Sequence, residues 1–291
     1  MDARTWLGLE PTHNPYRWVL PVTPAVSTHG GFLFGGCGLG AAIEALEGTT
    51  GRPVVWATAQ YLSYAGAPSV VDIDVTVAVA GRNTTQARAV GHVADREIFT
   101  VNAALGRRDS DEAGQWEAMP DVRAPDDSPA RRVRTPQDDR ETLMQRVDTR
   151  IARGRDLSQL DGTPGDGSSV LWARLPQVLD MSTAALGILG DYVPFGISQA
   201  LGVMGGGNSL DNTLRVARIV PTEWVLLDIK VHAVRNGFGH GIVHLFAEDG
   251  TLMATASQST IVRHWPVEDI DRMRRELEDH YPTRDEEASA P

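Results

Sequence analysis

An internal repeat constrains this chain more than any other feature. Residues 30–48, GGFLFGGCGLGAAIEALEG, are small and apolar, start on glycines and reach Gly48, which predicts a helix closed at that glycine. An antiparallel run follows. Val71, Ile73, Val75, Val77 and Val79 alternate with Asp72, Asp74, Thr76 and Ala78, so one face of a strand is apolar. The same order returns later. Residues 182–201, STAALGILGDYVPFGISQAL, predict an apolar helical region interrupted near Tyr192–Pro194. Strand candidates follow at Val225–Ile229, Gly241–Ala247 and Leu252–Val262, with Glu248-Asp249-Gly250 as a hairpin turn. Asp72-Ile73-Asp74-Val75 lines up with Asp228-Ile229-Lys230-Val231, and Asp95 with Asp249. The two offsets differ by a small insertion near Gly81 and Asn236, and self-similarity of this kind implies a duplicated unit.

The 291 residues accommodate two units of about 100–150 residues each. We divide the chain into an N-terminal unit (1–107), a linker (108–168), a C-terminal unit (169–268) and a tail (269–291). The linker is rich in Asp, Arg, Pro, Gly and Ser and shows no sustained strand alternation, although a helix around Arg140–Ile151 fits its pattern. The tail is polar from Arg272, where it is expected to begin as a helix and fray.

Charge and composition exclude several functions. A net charge of −11 opposes binding to a nucleic-acid backbone, which needs a basic face to release counterions. It leaves room for coenzyme A, whose phosphates need only a few local arginines. The single cysteine, Cys37, cannot form an intrachain disulfide, and the start MDARTWLGLE lacks a signal-peptide pattern. No run of about 18 apolar residues occurs, so no membrane span is expected and a cytoplasmic location is. His240 and His244 lie four apart on a strand, but no third ligand follows at a recognisable spacing, so neither a metal nor another cofactor is expected. Gly205-Gly206-Gly207 lacks the Lys-Ser/Thr ending and preceding strand of a phosphate cradle and reads as a loop.

The order of these elements and several short motifs resemble acyl-CoA thioesterase II, the double hot-dog (TesB-like) thioesterases. Phe34-Gly35-Gly36 resembles the Phe-Gly-Gly at the start of the family's central helix, with His29-Gly30-Gly31 just before it. Gly81-Arg82-Asn83 through Arg88 is similar to its Gly-x-Ser/Asn…Ala-Arg strand turn. Ser209-Leu210-Asp211-Asn212, then Glu223-Trp224, resembles the Ser-Leu-Asp-His segment, and Ala254 through Gln258 to Arg263 resembles the closing Ala-Ser-x-x-Gln-x-x-x-Arg signature. The resemblance implies an α+β double hot-dog, two tandem units each wrapping an antiparallel sheet around a central helix. It further implies hydrolysis of an acyl-CoA thioester to free acid and CoA, with water activated by a general base. It assigns the acid to Asp211 and the amide to Gln258. The family's hydroxyl position, counted eight residues from Trp224, falls on His232, a departure from the pattern.

Each assignment has a bland counterpart. Asp211 could be a turn acid beside Asn212, Gln258 a half-exposed strand residue and His232 a capped strand histidine. Gly35 and Gly36 would let a thioester carbonyl approach the donors of a helix N-terminus, or would only permit tight helix–sheet packing. Cys37 sits where a thiolate is favoured, but reads as a structural core residue. In the repeat alignment Gln258 falls on Ala104 and His232 on Thr76, so one site per chain is expected, with the first half completing the acyl pocket. Two other functions compete. A non-hydrolytic acyl-CoA or acyl-carrier binding protein would explain the lost hydroxyl at His232. A hot-dog dehydratase would need an Asp and a His around an Asn-Pro, and Asn14-Pro15 has neither nearby. Hot-dog sheets commonly pack together, so self-association to a homodimer or higher oligomer is expected.

Overall fold

The structure is a computed structural model that describes residues 1–132, 142–178 and 180–264. The N-terminal unit runs through α1 (Ala3–Leu7), β1 (Glu10–Pro11), β2 (Arg17–Val22), α2 (Gly35–Thr50), β3 (Val54–Tyr61), β4 (Ser69–Ala80), β5 (Thr84–Val93) and β6 (Arg96–Gly106). The remainder holds α3 (Leu143–Arg146), β7 (Asp148–Arg153), β8 (Ser168–Arg174), α4 (Thr183–Leu189), α5 (Val193–Leu201), β9 (Gly205–Ser209), β10 (Asp211–Val216), β11 (Val225–Arg235), β12 (Phe238–Ala247) and β13 (Leu252–His264).

The strands form one continuous antiparallel sheet in the order β1-β2-β4-β5-β6-β3-β10-β13-β12-β11-β8-β7, with β9 also paired to β13. The run β2-β4-β5-β6-β3 in one unit corresponds to β8-β11-β12-β13-β10 in the other, which is the duplication read from the sequence. The halves meet where β3 pairs β10, from Asp211 opposite Gln60 to Arg215 opposite Trp56. On that seam the hydroxyls of Thr58 and Thr213 lie 2.6 Å apart.

Period-2 alternation seats the sheet on its helices. Val71, Ile73 and Val75 of β4 are buried, while Val79 at the strand end is exposed. Small residues let α2 and α4 approach closely. A Cβ at Gly40 would lie 3.0 Å from Ile188 Cγ1 and 3.1 Å from the Ala184 carbonyl oxygen. The helix of residues 30–48 is found at Gly35–Thr50, and the left-handed C-terminal residue is Gly51, at φ 67°. Gly48 does not stop the helix. A Cβ there would lie 2.5 Å from the Trp18 ring, so packing explains that glycine.

The segment between the units departs from the expected linker. Residues 148–153 form β7, whose Asp148 pairs with Arg174 in register and through an ion pair at 2.9 Å. As an edge strand with Asp148, Arg150 and Arg153, β7 reads as polar in isolation, and its hydrogen-bonding partner β8 makes it a strand. The expected helix around Arg140–Ile151 shrinks to the single turn α3, and residues 133–141 lie outside the described residues. Upstream, Met119 and Val122 pack on Trp172, Trp224 and Phe246, while Trp172 Nε1 donates to the Arg123 carbonyl at 2.8 Å. This stretch therefore covers an outer face of the second unit's sheet. The tail from 269, with its helix expected at Arg272, also lies outside the described residues. Among the described residues no helix is long and apolar enough to cross a membrane.

Candidate active site

The apolar region 182–201 breaks where the sequence suggests, and the break carries its one charged residue. Helix α4 ends at Gly190 and α5 begins at Val193, leaving Asp191 and Tyr192 between them. Asp191 is buried and its carboxylate faces the first turn of α2, 155 positions earlier in the chain. Its Oδ2 accepts the Gly36 N–H at 2.6 Å. Helix α2 has no side-chain cap of its own, so this carboxylate serves one of its free amides and gains from the positive end of the helix dipole.

The other carboxylate oxygen is held from the second unit. Oδ1 accepts the Ser209 hydroxyl at 3.3 Å and a short hydrogen bond from Gln258 Nε2. Gln258 Nε2 also donates to Ser209 Oγ at 3.1 Å, and Gln258 Oε1 accepts the Val193 N–H at 3.0 Å. Gln258 is 2% exposed, so this buried amide ties β13 to the start of α5, to Asp191 and to Ser209. Burial is the main influence on Asp191 and raises its pKa above the usual carboxylate value. The hydrogen bonds from Gln258, Gly36 and Ser209 pull it partly back.

Asp191 and Ser209 line a cavity of about 680 Å³, together with Gly35, Tyr61, Tyr192 and a mainly apolar wall. Tyr61 donates its hydroxyl to the Gly35 carbonyl at 2.8 Å. Close packing restricts both glycines: a Cβ at Gly35 would lie 2.8 Å from Asp191 Oδ2, and one at Gly36 would lie 2.7 Å from the Ile188 carbonyl oxygen. The Gly36 amide is already bound to Asp191. Of the two glycines, only Gly35 lines the cavity.

Among the described residues, neither Asp211 nor His232 shares a hydrogen bond with this cluster. Asp211 starts β10, and its Oδ1 accepts the Ser259 N–H at 2.7 Å. Pairing along β13 passes from β10, at Thr213 opposite Ser257, to β9, at Ser209 opposite Thr260. Asp211 thus serves a strand amide at the step between two partners. His232 is exposed at a bulge in β11 and packs edge-on against His240, with ring centroids 5.7 Å apart. In β12, by contrast, Gly241 is opposite both Val231 and Gln258, and a Cβ on it would lie 3.2 Å from Val193. The residues next to Gly241 and Val231 therefore point to the other face of the sheet. Neither Asp211 nor His232 lines the cavity.

Other sequence readings can be placed as well. Gly205–Gly207 form part of β9, on the cavity wall, instead of a loop. Cys37 is fully buried, and burial pushes its thiol pKa well up, which leaves it as a core residue. His244 lies 3.9 Å from Asp228, and among the described residues no group of His, Cys, Asp and Glu could hold a metal. The sequence reading singled out neither Asp191 nor Ser209, which the structure places together on the cavity wall. Asp191 was detectable as the lone charge at the break of an apolar helical run. Ser209 stood inside the motif quoted for Asp211, two residues earlier.

A duplicated strand order and one helical segment per half, with a buried acid where the two segments meet, define a double hot-dog protein. A model of the acyl-CoA thioesterase C-terminal domain matches residues 117–262, half of the chain. A structure from Novosphingobium aromaticivorans, provisionally designated a thioesterase, shares 32% identity over 87% of this chain and 97% of its own, with a TM-score of 0.77. An acyl-CoA thioesterase II from Mycobacterium marinum shares the fold at 20% identity over 91% of this chain and 100% of its own, with a TM-score of 0.69. A hot-dog protein from Alicyclobacillus acidocaldarius does so at 18% identity over 91% and 98%, with a TM-score of 0.79. No curated protein is significantly similar in sequence. The chain belongs to the acyl-CoA thioesterase family, with the double hot-dog architecture of thioesterase II proteins.

Proposed function

We propose that this protein hydrolyses acyl-CoA thioesters, with Asp191 as general base and Ser209 and Gln258 as its positioning partners. One observation carries the reading: a buried carboxylate on a cavity wall, held by an amide, a hydroxyl and a helix N-terminus. Asp191 takes a proton from water as the water oxygen attacks the thioester carbonyl carbon. The carbon–sulfur bond of the resulting tetrahedral intermediate then breaks, and the proton passes to the departing CoA sulfur. Ser209 donates to Asp191 and keeps a lone pair to orient the water. Gly35, at the N-terminal end of α2, faces the developing oxyanion, where helix-end amides favour negative charge. Gly36 serves Asp191 instead.

The purely binding alternative rested on the missing hydroxyl at His232. Ser209 supplies a hydroxyl at the carboxylate, so nothing specific favours that alternative.

Release of CoA thiol from a panel of acyl-CoAs tests the proposal, and absence of turnover across chain lengths would refute it. The same assay separates the two acid assignments. Asp211→Asn keeps an oxygen for the Ser259 amide, and His232→Ala removes an exposed ring. Both variants are expected to stay within about threefold of wild-type kcat, as for changes away from the reacting groups. A loss of about 100-fold in either would return that residue to the site.

A further inference from the structure

We propose that Arg131 recognises an anionic oxygen carried by the acyl group itself, so that the preferred thioesters are those of short dicarboxylic acids. This inference rests on the thioesterase reading above and names its substrate class. Arg131 lies at the end of the stretch that covers the second unit, and its backbone N–H donates to the Thr149 carbonyl at 2.9 Å, which fixes the residue beside β7. Its side chain lines the cavity that holds Asp191 and Ser209. The guanidinium carbon lies 4.9 Å from the centroid of the Phe195 ring. Its Nε is buried and has no hydrogen-bond partner, and among the described residues the guanidinium makes no hydrogen bond or ion pair. Asp156, which accepts the Arg132 N–H at 3.3 Å, acts on Arg131 only at longer range.

A half-buried cation whose inner Nε has no acceptor is unfavourable unless a ligand meets it. The contact with the Phe195 ring uses none of the guanidinium's N–H donors and leaves them to a ligand. Position selects the part of the substrate. Phe195 lies in the first turn of α5, on the same cavity wall as Asp191 and Tyr192. When the thioester is at Asp191, the phosphates of CoA are held away at the far end of the pantetheine arm. A carboxylate a few bonds along the acyl chain is not.

The test compares kcat/KM for glutaryl-CoA with that for pentanoyl-CoA, which has the same chain length but no terminal carboxylate. Wild type is expected to prefer glutaryl-CoA. Arg131→Met should reduce the preference by about 30-fold or more, as for loss of a charge-assisted contact, and Arg131→Lys should retain part of it. An equal ratio in wild type and Arg131→Met overturns the proposal. So does a loss on glutaryl-CoA that vanishes with glutaryl-pantetheine, because Arg131 would then be reading a nucleotide phosphate. Calorimetric binding of both CoA esters to Asp191→Asn, with and without Arg131→Met, needs no turnover. A preference for glutaryl-CoA that depends on Arg131 supports the proposal even if hydrolysis fails, and equal affinities overturn it.

Discussion

Asp191→Asn is expected to lower kcat for acyl-CoA hydrolysis by about 10³-fold, within the range for loss of a general base. The substitution keeps the shape of the side chain and leaves an amide oxygen for the Gly36 N–H, so the fold should persist. In the wild type the base works only when ionised, and burial raises its pKa above the ordinary carboxylate value. The acid limb of kcat should therefore lie above the usual carboxylate range, with activity falling as pH drops through the raised pKa. Stability moves the other way. The native state holds this proton more tightly than the unfolded chain, so stability falls as pH rises from the unfolded to the folded pKa of Asp191, then levels off. Asp191→Asn should remove that contribution. Stopped-flow kinetics and thermal unfolding from pH 4 to pH 8 would read both effects. A variant with wild-type turnover would remove Asp191 from the mechanism.

Gln258→Ala should be costly in two respects. It strips donors from Asp191 and Ser209 and leaves the Val193 N–H without its acceptor. Leaving buried polar groups unsatisfied costs about 1–3 kcal/mol for each, so a loss of roughly 3 kcal/mol in unfolding free energy is expected. Turnover should fall by about 100-fold, as when one preorganised donor is removed. A general loosening of the fold would also slow the enzyme, so the pH profile is the sharper readout. The Gln258 hydrogen bond lowers the pKa of Asp191, and without it the acid limb should move to higher pH. An unmoved limb would separate Gln258 from the carboxylate.

Much of this protein was legible in its residues. The alternation in β4, the repeated order of helix and strands, and the glycine-rich start of α2 are local patterns of period or size, and they set a duplicated unit, which the family resemblance identified with a double hot-dog. Gln258 was singled out by its resemblance to the family's closing strand signature, and the structure buries it beside Asp191 and Ser209. The broken helix at 190–192 was visible too, although its acid was passed over in favour of Asp211, which sits in a more familiar-looking motif.

Partnerships between distant residues were not legible. Residues 148–153 became a strand because β8 offers them hydrogen bonds. Gly205–Gly207 became a cavity wall because β13 pairs with them. The proposal of Asp191 in place of Asp211 rests on which carboxylate meets the Gly36 amide and the Gln258 side chain, contacts spanning 155 and 67 positions. Local sequence determined most of the elements and their order, because helix and strand periods are short-range properties of the chain. Only the tertiary structure brought Asp191, Ser209 and Gln258 together, because the burial of that carboxylate and its donors come from both halves of the chain.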